Sequence, residues 1–244
     1  IMSLEAVFAL LAGMLLLGRL REWFGEPAPG VAFRVVSAAG RVADALLSAA
    51  VQDRAHLVIV EPRRRARLER LWEGSVSGQV LRAAPTSVLC VPADDEALPT
   101  PGHLERVLVA TDLTPEGNRA VGYAFSLLAG GGTLHLMHVL GQLSEPEARA
   151  RLQAVLPPGP APRTRIHLET PFAIDPVLAI CQAAERLNVD AVCLAMRRRS
   201  GLSQALGDSV SRRVAEECPV PVLLVPPSAP PGPAYLGVRR RAGR

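Results

Sequence analysis

Two arginine triplets are the residues best equipped to grip an anion. Arg197, Arg198 and Arg199 open "RRRSGLSQALGDSVSRRV" (197–214), and Arg63, Arg64 and Arg65 lie in "EPRRRARLERLWEGSVSGQV" (61–80). A guanidinium offers a planar fork of donors that suits phosphate or carboxylate. Each triplet is followed at the same distance by Ser-Val-Ser. Three readings are open: a phosphate clamp, a nucleic-acid patch, or a solvated corner paired with Asp208, Glu61 or Glu69. The solvated corner carries the most weight. Nucleic acid carries the least, because no aromatic residues interleave the charge. The net charge of +4 also falls on the tail residues Arg239, Arg240, Arg241 and Arg244, which leaves the body near neutral.

Other reactive types form weaker patterns. His135 and His138 share one apolar stretch, and a place near the end of a sheet suits them better than a metal pair. His56, His103 and His167 have no ligand spacing. Asp94, Asp95 and Glu96 read as solvated charge. Cys90, Cys181, Cys193 and Cys218 form no C-x-x-C pair and read as reduced, structural thiols, in keeping with the cytoplasm. No Ser-His-Asp order and no carboxylate pair supports hydrolysis, so no enzyme and no metal site is expected.

These residues sit on a repeated scaffold. Shifted by 134 positions, "RAHLVIVEPRRR" lies over "NVDAVCLAMRRR", and "APTSVLCVP" (84–92) over "CPVPVLLVP" (218–226). Near the start the offset changes: "AVFALLAG" (6–13) resembles "AFSLLAG" (124–130). In the second half, strands are expected at 106–111, 133–140, 164–169, 189–195 and 221–225. Helices are expected at 115–128, 144–155, 175–187 and 203–217. Thr114 suits the N-cap of the first of these helices and Asp175 that of the third, each with Pro following. The first half gives helices at 3–12, 40–52 and 67–82, and strands at 14–20, 31–37, 56–60 and 86–91. Alternating apolar strands and helices define an α/β parallel sheet covered on both faces.

The expected domains are a first repeat at 1–92, a Pro-rich acidic linker at 93–104, a complete second repeat at 105–226, and a disordered basic tail at 227–244. The first repeat lacks residues for its opening strand. Either the natural start lies upstream of Ile1, or strands 14–20 and 56–60 close the gap directly. The apolar run at 6–18 is too short to span a bilayer, which needs about 20 residues. No basic residue precedes it, so neither membrane insertion nor a signal peptide is expected.

With this order in place, the chain resembles the universal stress protein family in tandem two-domain form. "VLVATDLTPEGNRAV" is similar to the family's first strand, acidic turn and first helix, and "LHLMHV" to its second strand. "RRSGLSQALGDSVSRRV" and the following "CPVPVLLVP" are similar to its signature loop, last helix and last strand. The resemblance implies two doubly wound, Rossmann-like domains of the adenine nucleotide alpha hydrolase type, related by a pseudo-two-fold axis. The last strands, 86–91 and 221–225, would pair within the chain, and a further homodimer stays open.

The resemblance also implies where ATP would bind. Members that bind ATP carry Gly-x-x-Gly, nine residues, then Gly-Ser. In the second repeat the loop glycines fall on Ala195 and Arg198, and the Gly-Ser on Asp208 and Ser209. Thr111, Asp112, Val139, Ser200, Gly201 and Val210 complete the implied nucleotide contacts. In the first repeat the glycines fall on Glu61 and Arg64, with Gly74 and Ser75 kept, and no acidic partner exists. A side chain at position 198 obstructs the backbone's approach to phosphate, and Asp208 repels it. The expectation is therefore a non-catalytic stress-response or regulatory module with degraded ATP loops and no cofactor. The alternative is an ATP-binding protein that uses the second repeat.

Overall fold

The computed structural model describes residues 40–61, 75–92, 104–128, 130–156, 163–196 and 210–228. Both arginine triplets, the expected elements at 3–12, 14–20 and 31–37, residues 93–103 of the expected linker 93–104, and the tail from 229 onward lie outside them.

Among the described residues, seven strands form one sheet. They are β1 (Leu57–Val60), β2 (Ser87–Cys90), β3 (Arg106–Ala110), β4 (Gly132–Met137), β5 (Thr164–Glu169), β6 (Ala191–Ala195) and β7 (Val222–Val225). Their spatial order is β1-β2-β7-β6-β3-β4-β5. Neighbours run parallel throughout except β2 and β7, which are antiparallel. Six helices accompany them: α1 (Val42–Gln52), α2 (Val76–Ala83), α3 (Arg119–Leu127), α4 (Glu145–Val155), α5 (Pro176–Arg186) and α6 (Val210–Glu217).

The inner strands β2, β7, β6 and β3 are nearly continuous apolar runs because both their faces are covered, whereas the edge strand β5 alternates between exposed and half-buried residues along most of its length. One core cluster joins α1, α2, α5 and α6 to one face, through residues such as Leu47, Leu108, Ile180, Val214 and Leu224. The other joins α3 and α4 to the opposite face, through Val109, Val121, Leu136, Leu152 and Leu223. The second repeat has the complete order β7-β6-β3-β4-β5. Its last strand meets β2 in the register Val88↔Leu224, Leu89↔Leu223 and Cys90↔Val222. Shifting 89 by 134 gives 223, so Leu89 faces its own counterpart, and the local two-fold passes through that pair. The expected pairing of 86–91 with 221–225 thus fuses both repeats into one sheet.

Local chemistry sets the element ends. Asp175 caps α5 by accepting from the Val177 amide at 2.9 Å, with Pro176 in the first turn. Gly132 starts β4 where a Cβ would strike the Glu105 carbonyl, so only glycine fits. Asp190 is buried and accepts from the amides of Glu105 (2.7 Å) and Arg106 (2.8 Å), pinning the start of β3 to β6.

Several boundaries differ from expectation; the strand expected at 189–195, for one, begins at Ala191. The helix expected from Pro115 begins at Arg119. Residues 115–118 instead form a separate turn, in which Thr114 Oγ1 accepts from the Gly117 amide and the Thr114 carbonyl from Asn118. The strand expected over 133–140 ends at Met137, and Leu140 makes only an isolated bridge to Phe172. The helix expected over 67–82 is described only as α2, from Val76.

Candidate functional site

The strand order reverses direction between β3 and β6: the chain leaves β3 toward β4, while β6 and β7 lie on the other side. Loops diverge at such a point and leave a crevice beyond the strands' carboxyl ends. A cavity of about 250 Å³ occupies it here. β3 and its following turn supply Ala110, Thr111, Asp112 and Gly117, and β6 supplies Leu194 and Ala195. The residues after β4 supply His138 and Val139, α5 gives Pro176 and Ile180, and α6 gives Val210 and Ser211.

The Thr111–Thr114 turn is tightly organised. Thr111 Oγ1 donates to Asn118 Oδ1 at 2.7 Å and accepts from the Leu113 amide at 3.0 Å. Asp112 Oδ1 accepts from the Thr114 amide (3.0 Å) and hydroxyl (2.6 Å). Leu113 is held at φ 64°, a left-handed conformation that costs a branched residue about 1–2 kcal/mol. Its side chain packs against the core cluster under α3, which offsets that cost. Gly117 closes on Asp112 so nearly that a Cβ there would overlap the carboxylate.

His138 is fixed by the same turn. Its Nδ1 lies 2.9 Å from the Thr111 carbonyl, which can only accept, so Nδ1 carries a proton and Nε2 is the acceptor of the neutral ring. On the α5 side, Asp175 is held below its usual range of 3.8, first by the Val177 amide and then by the Arg213 guanidinium at 3.3 Å.

The cavity brings together five of the expected site residues: Thr111, Asp112, Val139, Ala195 and Val210. Arg198, Ser200, Gly201, Asp208, Ser209, Arg64 and Gly74 lie outside the described residues. Ser75 is described, and its hydroxyl caps α2 by accepting from the Gly78 amide at 3.0 Å. His138 was read as structural; it has that role, on Thr111, and also lines the cavity. Gly117, Pro176, Ile180, Leu194 and Ser211 were not foreseen as lining. The Pro after the Asp175 cap was the one local signal, since it places the α5 N-terminus at the strand ends.

The other histidines lie elsewhere. His135 stacks on His167 across β4 and β5, with ring centroids 5.2 Å apart, and its Nδ1 is 3.2 Å from Glu169 Oε1. Among the described residues, no group of three His, Cys, Asp or Glu side chains could hold a metal ion. No described helix is long and apolar enough to cross a membrane.

A mostly parallel, doubly wound sheet with helices on both faces and a crevice at its switch point defines a Rossmann-like α/β protein. The sequence model of the universal stress protein family matches residues 12–92 and 103–226. The chain belongs to the universal stress protein family and carries two of its segments in tandem. A universal stress protein from Archaeoglobus fulgidus DSM 4304 superposes with a TM-score of 0.60 at 23% identity, over 75% of this chain and 64% of that one. This chain therefore matches less than two thirds of that protein's length. A functionally unknown protein from Pseudomonas aeruginosa PAO1 gives a TM-score of 0.57 at 20% identity, over 89% of this chain and 78% of that one. A universal stress protein in complex with cAMP is 24% identical, with a TM-score of 0.42, over 52% of this chain and 99% of that one. No curated protein matches the sequence significantly.

Proposed function

We propose that this protein is a non-catalytic stress-response module whose second repeat holds the adenosine end of a nucleotide and grips a triphosphate poorly. The observation that carries this reading is the cavity at the β3/β6 switch point. It has an apolar wall of Ile180, Leu194 and Val210 facing the polar edge of Thr111, Asp112 and His138. A flat heteroaromatic base fits such a wall, and a few fixed polar groups set its orientation.

Binding rather than turnover is favoured because the polar groups are already committed. The Thr111 hydroxyl both donates and accepts, one Asp112 oxygen serves the turn, and His138 Nδ1 serves Thr111. The weak grip on phosphate rests on the family resemblance. Ala195 ends β6 where a loop glycine would stand, and Arg198 and Asp208 replace two further glycines. In the first repeat the Ser75 hydroxyl is used for capping α2.

Titration calorimetry of the full chain with adenosine, AMP and ATP tests this. Adenosine and AMP should bind within about tenfold of ATP, a difference of roughly 1.4 kcal/mol or less. Asp112→Asn keeps an oxygen for the Thr114 turn but removes the charge, and should weaken all three ligands together. ATP binding more than about a hundredfold tighter than AMP would restore a working triphosphate loop. No binding of any of the three would leave a nucleotide-free interaction module.

A further inference from the structure

On the reading of the cavity as an adenosine site, we propose that His138 selects the base: its Nε2 accepts from the exocyclic amino group of a 6-aminopurine and rejects a 6-ketopurine. His138 follows β4, is half-buried, and lines the cavity. Its backbone is fixed, because its amide donates to the Glu169 carbonyl at 2.9 Å. Its ring is held from one side only. Nδ1 lies 2.9 Å from the carbonyl oxygen of Thr111, the residue before Asp112. A carbonyl oxygen accepts and cannot donate, so the proton sits on Nδ1 and the neutral ring keeps its lone pair on Nε2. With the Nδ1 edge spent on Thr111, the Nε2 edge is the one that meets whatever enters the cavity.

The neighbouring polar groups make the same demand. The Thr111 hydroxyl gives its one proton to Asn118 Oδ1 at 2.7 Å, so it can present only an acceptor to the cavity. Asp112 presents a carboxylate, whose Oδ1 already accepts from the Thr114 amide and hydroxyl. Opposite them, Ile180 and Leu194 make an apolar wall that holds a flat ring but reads none of its edges. Discrimination therefore falls to an edge of acceptors, and such an edge wants donors from the ligand. An adenine amino group brings an N–H to Nε2. A hypoxanthine carbonyl in the same place sets two lone pairs against each other. Purine riboside, which has only a hydrogen there, leaves Nε2 unmet. A partly desolvated acceptor that loses its donor weakens binding by about tenfold to a hundredfold.

A purely structural His138 would need only the bond to Thr111. Asparagine separates the two roles. Its side-chain amide can donate to the Thr111 carbonyl as Nδ1 does, and it ends short of the place that Nε2 occupies.

The test titrates the full chain with adenosine, inosine and purine riboside in mildly alkaline buffer, in which an imidazole is uncharged, and repeats the series with His138→Asn. The parent should bind adenosine about tenfold or more tightly than inosine, with purine riboside between them. His138→Asn should keep the far-ultraviolet circular dichroism of the parent and bind all three within about threefold of one another. Nitrogen NMR of the parent should show an unprotonated Nε2 at His138 whose signal moves when adenosine is added. Equal affinity of the parent for adenosine and inosine would overturn the proposal and leave the cavity a nucleoside site. So would a His138→Asn chain that keeps the parent's preference, or a proton on Nε2. The parent's affinities and nitrogen signal decide the matter even where the variant unfolds. Binding of none of the three ligands would bring down the adenosine reading together with the proposal.

Discussion

Gly117→Ala is the substitution that most directly separates the Asp112 turn from its surroundings. A methyl group at 117 would overlap Asp112 Oδ1 and lie 3.1 Å from Asp112 Cγ and 3.2 Å from Thr111 Oγ1. The carboxylate must move, and its hydrogen bonds to the Thr114 amide and hydroxyl go with it. Each such bond contributes about 0.5–1.5 kcal/mol, so losing both costs roughly 1–3 kcal/mol. Alanine also restricts the unfolded chain, which returns about 0.4–1 kcal/mol where the conformation is tolerated. The net destabilisation is therefore on the order of 1–2 kcal/mol, or about 2–8 °C in Tm for a chain of this size. Gly141→Ala serves as the control, because a Cβ there meets nothing within 4 Å. The assay pairs thermal unfolding with nucleotide titration on both variants. The alanine at 117 should weaken AMP by about tenfold or more, while the control stays near the parent. Equal affinity and equal Tm in the two variants would refute the claim that Asp112 is held in place by the missing side chain.

Two further outcomes follow from the packing and the charges. Asp175→Ala removes the α5 cap and should lower Tm at neutral pH. Because the native carboxyl is held below 3.8, its stabilisation is complete above that value and fades as pH falls below it. The Tm gap between parent and variant should therefore close in acid, and a gap unchanged at low pH would contradict the assignment. Leu89→Ala and Leu223→Ala each remove a buried side chain at the local two-fold, and each should cost about 2–5 kcal/mol by denaturant unfolding. Since the two residues face one another, the double variant should depart from additivity by about 0.5 kcal/mol or more, and simple addition would place them out of contact.

Much of the architecture was legible because buried parallel strands are written as unbroken apolar runs. "RVLVA", "AVCLA" and "VLLV" can pack on both faces and little else, and Asp175 with Pro176 marks a helix start by its own chemistry. The errors arise where the same local signal serves two structures. Thr114 followed by Pro115 suits a helical first turn and equally the closed turn that precedes α3. The apolar run at 133–140 passes without a break from the sheet into the cavity wall, since Val139 and Leu140 are no less hydrophobic than Leu136. Gly117 could not be recognised, because its role is the absence of a Cβ beside a carboxylate that only the folded turn brings near. Asp112 was found through the family resemblance, and no spacing rule for His138 would have paired it with the Thr111 carbonyl.

Among the described residues the two repeats have one half of their fold in common, and the cavity lies outside that half. The shared half is a helix, a strand, a second helix and a last strand, with α1 and α2 matching α5 and α6 residue for residue. That half builds the joint. Val88 and Cys90 meet Leu224 and Val222, each facing the counterpart of the other, and every one of them is buried. A register that is its own mirror tolerates no slip, because a one-residue shift would turn the buried side chains to the opposite face. The cavity instead draws its polar edge from β3, its turn, and the residues after β4, which belong to the second repeat alone among the described residues. Loss of Asp112 or His138 would therefore leave the joint intact, whereas loss of Leu223 would strike both repeats together. Ligand binding and the union of the repeats are thus mechanically separable, and variants in one half can be interpreted without reference to the other.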